Sequence, residues 1–221
     1  MSSTPRRFDL VVFDWDGTLF DSTALIVRSI QDACRDIGAP VPSDDQASFV
    51  IGLGLQDALQ RAVPDLPLAR YPELAQAYRK HYLGRQHELL LFEGVLEMLR
   101  ALKARHHWLA VATGKTRRGL DDALHTSQLQ GVFDGTRTAD ETASKPSPVM
   151  LLELMREFGC EPERTVMIGD TTHDLQMAAN AGTPSVAVSY GAHDPAAFDD
   201  FDTLHVAHSV ADLHAWLIAN A

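Results

Sequence analysis

The stretch "VVFDWDGTLF", Val11 to Phe20, decides how this chain folds. With Leu10 in front, it opens as four apolar residues without a polar interruption, the pattern of a strand covered on both faces. It then breaks into two acids one residue apart, Asp14 and Asp16, followed by Gly17 and Thr18. Two like charges at the end of a buried strand repel each other unless something nearby compensates them. Open α/β sheets bind their ligands outside the carboxyl ends of their strands.

The same apolar pattern recurs at Trp108–Thr113, Thr165–Ile168 and Pro184–Val188, more weakly at Leu204–Ala207, and the first run reaches back to Phe8. Between these runs lie helical spacings: Val95, Leu99 and Leu102; then Leu151, Leu154, Met155 and Phe158; then Asp174 to Ala181, closed by Gly182. Strands alternating with helices predict a doubly wound, parallel, Rossmann-like α/β sheet with right-handed crossovers. From about Asp21 to Leu90 the rhythm changes to helix alone. Ile26, Ile30, Ala33 and Ile37 form one apolar stripe, Gly38–Asp45 is a turn and restart, and a long helix is expected over Tyr71–Glu88. The expected organisation is an α/β core of residues 1–20 and 90–221, with an inserted all-helical subdomain over 21–89 standing above the carboxyl edge of the sheet.

Of the 221 residues, 45% are apolar and 22% charged, as in ordinary soluble domains, and the net charge is −11. That charge argues against a nucleic-acid partner, which requires clustered Lys and Arg. The two cysteines, Cys34 and Cys160, lie outside any C-x-x-C pattern, predicting neither a disulfide framework nor a structural zinc site and favouring a reducing, cytoplasmic setting. "MSSTPRRF" is basic, but the apolar run behind it is too short for a signal peptide. No segment approaches a membrane span.

Four expected strand or helix boundaries carry polar groups: Asp14, Asp16 and Thr18; then Thr113, Gly114 and Lys115; then Lys145 in "ASKPSP"; then Gly169, Asp170 and Asp174. If they converge, four carboxylates share a site whose compensation is Lys145 and a hard divalent cation. Oxygen ligands without His or Cys favour Mg²⁺. One carboxylate can attack phosphorus, and a second acid two residues on can move the proton. A hydroxyl, a lysine and backbone N–H groups can hold the phosphoryl oxygens. Each feature has a plainer reading: Asp14 and Asp16 as a solvated turn, Thr113 as a cap of the helix after Thr116, Lys145 as a surface lysine, Asp174 as a helix-start acid.

The motifs "DWDGTLFDS" (Asp14–Ser22), "LAVATGK" (Leu109–Lys115), Lys145 in "SKPSP" and "VMIGDTTHD" (Val166–Asp174), in that order, resemble those of the haloacid dehalogenase superfamily, specifically its phosphatases with a C1-type helical cap. "LLLFEGVLEML" (Leu89–Leu99) resembles the cap exit and first core helix of phosphoglycolate-phosphatase-like members. The resemblance implies Asp14 as nucleophile and Mg²⁺ ligand. Asp16 becomes general acid and base, lending its main-chain carbonyl to the metal. Asp170 is a carboxylate ligand, and Asp174 stands behind it through water or Lys145. Thr113 and Lys145 join the catalytic set. The phosphate-binding set is Trp15, Asp16, Thr113, Gly114 and Lys145, with the Trp15 side chain read as packing. Gly52 and Gly54 resemble the cap loop aimed at the substrate. Arg61, Arg79, Lys80 and His81 are possible leaving-group contacts, while Arg117 and Arg118 read as solvated.

These expectations describe a Mg²⁺-dependent phosphomonoesterase for a small phosphorylated metabolite, with a phosphoglycolate-like ester the first guess. The protein would be a monomer or weak dimer, with no nucleic-acid or membrane partner. A β-phosphoglucomutase-type phosphomutase shares the core motifs. A phosphoacceptor signalling domain lacks both the helical insertion and the acid at the Asp16 position.

Overall fold

The apolar run before Asp14 forms β1 (Leu10–Phe13), a central strand of a six-stranded parallel sheet. The structure is a computed structural model, and it describes residues 7–127 and 129–221. The basic start of the chain, residues 1–6, lies outside the described residues. After β1 come four helices, α1 (Thr23–Asp36), α2 (Asp44–Phe49), α3 (Leu55–Ala62) and α4 (Tyr71–Arg85). Strands and helices then alternate: α5 (Val95–Ala104), β2 (Trp108–Thr113), α6 (Arg117–Thr126), β3 (Gly135–Thr138), α7 (Val149–Phe158), β4 (Thr165–Gly169), α8 (Thr172–Ala181), β5 (Ser185–Val188), β6 (Val206–Ala207) and α9 (Val210–Asn220).

The strand order is β3-β2-β1-β4-β5-β6, so the chain winds outward in both directions from β1. That reversal creates the crevice where doubly wound sheets bind ligands. Phe13 is in register with Val111 on one side and Ile168 on the other, and the Asp14 N–H donates to the Ile168 carbonyl at 2.9 Å. Alternate residues of β1 feed different cores. Val11 and Phe13 pack with Leu99, Leu102, Leu213 and Leu217, whereas Leu10 and Val12 pack with Leu151, Leu154, Met167 and Met177. Helices thus cover both faces of the sheet, which explains the unbroken apolar runs.

β3 was not anticipated from the sequence. Its four residues, GTRT, contain no large apolar side chain, and the strand exists because it pairs with β2 from Ala110↔Gly135 to Thr113↔Thr138. The long helix expected to Glu88 ends at Arg85, and Gln86–Glu88 continue as a short 3₁₀ turn.

The segment from α1 to α4 has a core of its own, built on Ile26, Ile30, Ala33, Ile51, Leu59 and Leu74. Ser43 starts α2 with a reciprocal capping box, accepting from the Gln46 N–H while its own N–H reaches the Gln46 side chain. The outgoing and returning chains run side by side at the sheet edge. Asp21 N–H donates to the Leu90 carbonyl, and Phe92 N–H to the Leu19 carbonyl, both at 3.0 Å.

Candidate active site

β1, β2 and β4 end side by side, and their carboxyl ends bring most of the expected residues into one buried cluster. Asp14, Asp170 and Asp174 each offer a carboxylate oxygen within 4.8 Å of the others. All three are buried, as is Lys145, whose ammonium lies 2.7 Å from Asp14 Oδ1 and 2.6 Å from Asp174 Oδ1. The other Asp174 oxygen, Oδ2, accepts from the Thr171 hydroxyl at 2.6 Å and the Thr171 N–H at 3.2 Å. Asp174 therefore caps α8 and clamps Lys145 at once, combining its plainer and sharper readings. Asp170 accepts from the Thr18 hydroxyl and from the Ala192 N–H, both at 2.7 Å. A Cβ at Gly17 or at Gly191 would overlap the Asp170 carboxylate, so both positions leave room for it.

Three carboxylates against one lysine leave two negative charges in excess, a cost that burial magnifies. Burial pushes the Asp14 carboxyl well above its usual range, and Asp174 and Asp170 add to this against the pull of Lys145. Asp170 is pushed up to about 7, by burial and then by Asp174, against the hydrogen bonds of Ala192 and Thr18. Burial opposes the Lys145 charge, but Asp14 and Asp174 outweigh it and hold the ammonium above its ordinary value. Asp14 Oδ2 is fully buried and accepts no hydrogen bond from the described residues. A hard divalent cation fits this cluster: the donors are oxygens, the excess charge is two, and one carboxylate oxygen stands unpartnered.

Asp16 stands apart from that cluster, and its compensation was missed in the sequence. Its Oδ2 lies 3.0 Å from the ammonium of Lys115, and its Oδ1 accepts from the Ser22 hydroxyl at 2.8 Å. Lys115 also donates to the Tyr82 hydroxyl of α4 at 2.8 Å. Two lysines therefore serve the site, not the single one expected. The signal for Lys115 is its place two residues beyond the end of β2. Thr113 is buried and its hydroxyl accepts from the Lys115 N–H at 3.2 Å. Thr116, not Thr113, caps α6, accepting from the Gly119 N–H. The Trp15 side chain is buried and stacks on Phe20 at 4.8 Å, a packing role as expected.

The segment before α3 closes over these strand ends. A Cβ on Gly52 would lie 3.4 Å from the Thr171 hydroxyl and 3.8 Å from Asp14 Oδ2. The Gly54 N–H donates to Ser144 Oγ at 2.8 Å, one residue before Lys145. Gly114 packs so tightly beneath the loop that a Cβ there would overlap the Gly52 and Leu53 carbonyls. Two histidines fasten the other side: His173 Nε2 and His193 Nε2 both donate to the Phe49 carbonyl, at 2.7 and 3.0 Å. The Thr172 N–H donates to His193 Nδ1, which puts the remaining proton on Nε2. Burial pushes His173 down to about 4 and lowers His193 as well, keeping both neutral near pH 7. The sequence places His173 in "GDTTHD" without a chemical role and gives His193 none, because their partner is a main-chain carbonyl more than 120 residues away.

Other expected cations scatter. Lys80 and His81 bind Asp36 at 3.1 and 2.9 Å. Arg117, expected to be solvated, is held by Glu141 and Thr136 instead. Arg79 and Arg118 line the rim of a cavity beside Asp16, whereas Arg61 does not line it.

A family model described as haloacid dehalogenase-like hydrolase matches residues 11–188. The chain belongs to that family. It is 37% identical over 189 residues to a protein named probable phosphatase IndB of Dickeya dadantii, covering 83% of this chain and 82% of that one. It is 34% identical over 211 residues to a protein named tyrosine-protein kinase PtkA of Mycobacterium tuberculosis, covering 94% and 71%. A crystal structure described as a predicted phosphoglycolate phosphatase from Haemophilus somnus superposes with a TM-score of 0.83 at 28% identity, covering 95% of this chain and 98% of that one.

Proposed function

We propose that this protein is a Mg²⁺-dependent phosphomonoester hydrolase that works through an aspartyl-phosphate on Asp14. The observation that carries the reading is the arrangement around Asp14: a buried carboxylate gripped by Lys145 through one oxygen, with the other oxygen unpartnered. The resemblance to a probable phosphatase and to a phosphoglycolate-phosphatase structure supports it. α1–α4 and their connections, over residues 21–89, act as the cap on an α/β core of residues 1–20 and 90–221.

In the first half-reaction an Asp14 oxygen forms a bond to phosphorus as the bond from phosphorus to the leaving oxygen breaks, and Asp16 gives that oxygen a proton. In the second, water attacks phosphorus, the Asp14–phosphorus bond breaks, and Asp16 takes the water's proton. Thr113, Lys145 and main-chain groups at Trp15, Asp16 and Gly114 hold the phosphoryl oxygens. Asp14, Asp170 and the Asp16 carbonyl would hold Mg²⁺, which when bound neutralises charge on the carboxylates and the phosphoryl group. Asp174 fixes Lys145, and the Gly52–Gly54 loop closes the site against solvent. Lys115 and Ser22 hold the Asp16 carboxyl in place.

The substrate is a small phosphorylated metabolite, and phosphoglycolate is the reference ester. We read it as a cytoplasmic monomer or weak dimer. Among the described residues no helix is long and apolar enough to cross a membrane. The test is an initial-rate screen of phosphate esters with Mg²⁺ and with EDTA. Mg²⁺-dependent phosphate release is expected; release undiminished by EDTA contradicts the metal assignment. Its absence across the panel favours the phosphomutase alternative.

A further inference from the structure

Beside Asp16 the closed cap leaves a cavity of about 730 Å³. This volume falls in the range of sites that enclose whole organic ligands, roughly 300–1,000 Å³. Its lining is dominated by hydrocarbon. Ile26, Ile30, Val50, Ile51, Leu53 and Leu89 supply the aliphatic wall. Two stacked aromatic pairs contribute as well: Trp15 with Phe20, at 4.8 Å, and Tyr78 with Tyr82, at 5.7 Å. At the mouth, Leu83 and Leu90 are 54% and 71% exposed, large apolar side chains with nothing covering them.

The charges tell the same story. The cation that reaches deepest into the lining, Lys115, already holds Asp16 and the Tyr82 hydroxyl. Arg79 and Arg118 sit exposed at the rim, where an ion pair with a ligand is screened by water. A glycolate leaving group would fill little of this space, and its carboxylate would find Lys115 already engaged by Asp16 and the remaining basic side chains, Arg79, Arg118 and His87, exposed at the rim. Burying a carboxylate whose nearest counter-charge is already taken is costly.

We infer that the leaving group this site selects is an uncharged alcohol carrying a planar aromatic ring, so that the substrate is an aryl-substituted alkyl phosphate. The inference rests on the phosphatase reading and narrows its substrate class. The phosphoryl group occupies the Asp14 cluster next to the cavity, the ester oxygen lies at Asp16, and the ring fills the cavity against Tyr78 and Tyr82, reaching Leu83 at the mouth. The reaction is the hydrolysis already written: the ester bond breaks, the alcohol leaves with the proton from Asp16, and water completes the phosphate.

The experiment compares kcat/KM of the full-length protein with Mg²⁺ for three esters of primary alcohols: benzyl phosphate, phosphoglycolate and glucose 6-phosphate. They separate an apolar ring from a small anion and from a polar ring. Benzyl phosphate is expected to lead both others by at least about 10-fold, the gain of burying a ring's apolar surface. Turnover in which either other ester equals or exceeds benzyl phosphate overturns the inference and leaves the phosphatase reading intact. No phosphate from any ester, p-nitrophenyl phosphate included, overturns both. Leu83→Gln, at an exposed position that the fold does not need, is expected to raise KM for benzyl phosphate several-fold with kcat retained. An unchanged KM contradicts the placement of the ring.

Discussion

Asp16 is where the proposed chemistry is most exposed to test, because its two oxygens are held by Lys115 and Ser22 and neither touches the Asp14 cluster through a direct bond. A group that moves a proton but does not attack phosphorus has a recognisable signature. Asp16→Asn removes the transferable proton while keeping the size of the side chain. Turnover of alkyl phosphates is expected to fall by about 10²–10⁴-fold, the usual contribution of acid–base catalysis. Formation of the phosphoenzyme from p-nitrophenyl phosphate, whose leaving group needs no proton, is expected to suffer less. Equal losses in that step for good and poor leaving groups would remove the acid role. The positions of Asp14 and Asp170 were legible because they sit at strand ends, where the sequence pattern itself changes from apolar to polar, and Lys145 because it stands in "SKPSP" just ahead of a helix. Lys115, Ser22, Thr18 and the two histidines were not assigned, since their partners lie on elements whose proximity only the folded sheet creates.

The last turn of α2 and the loop from it to α3 fasten the cap down on the core. They are tied at Ser48 to the Ala192 carbonyl at 2.9 Å, at Phe49 to both histidines, and at Gly54 to Ser144. Gly114 beneath the loop has no room for a side chain. Gly114→Ala is expected to push the loop away from the strand ends without unfolding the sheet. Misplacement by about 1 Å can cost on the order of 10² in rate, so a comparable loss in kcat/KM is expected. Faster amide exchange confined to residues 50–54 would accompany it. Wild-type rate and exchange in this variant would contradict the closed arrangement. The sequence marked this loop through its glycines, whereas β3 escaped notice because GTRT has no apolar pattern and owes its conformation to β2.

For the molecule as a whole, a net charge of −11 surrounds a buried cluster that itself carries excess negative charge. The fold therefore stores repulsion that a divalent cation relieves. A ligand present at about 100 times its Kd adds ~2.7 kcal/mol to stability. For a chain of this size that corresponds to a Tm rise of roughly 5–10 °C with Mg²⁺. Asp170→Asn is expected to raise Tm in EDTA, by removing one buried charge, and to abolish the Mg²⁺ response. An undiminished response would place the cation elsewhere. The sheet was readable at this level because apolar runs and helical spacings alternate over most of the chain. The cavity was not, because its walls come from α1, α4 and the β2–α6 turn at once.

In the proposed reaction phosphorus passes through a covalent bond to Asp14. The most direct measurement is mass spectrometry of Asp16→Asn protein quenched with acid after reaction with p-nitrophenyl phosphate and Mg²⁺. One phosphoryl group is expected, located on Asp14, and none in a variant that also carries Asp14→Asn. Phosphate release by wild-type protein with no phosphoryl group on Asp14, or sustained turnover by Asp14→Asn alone, would contradict it.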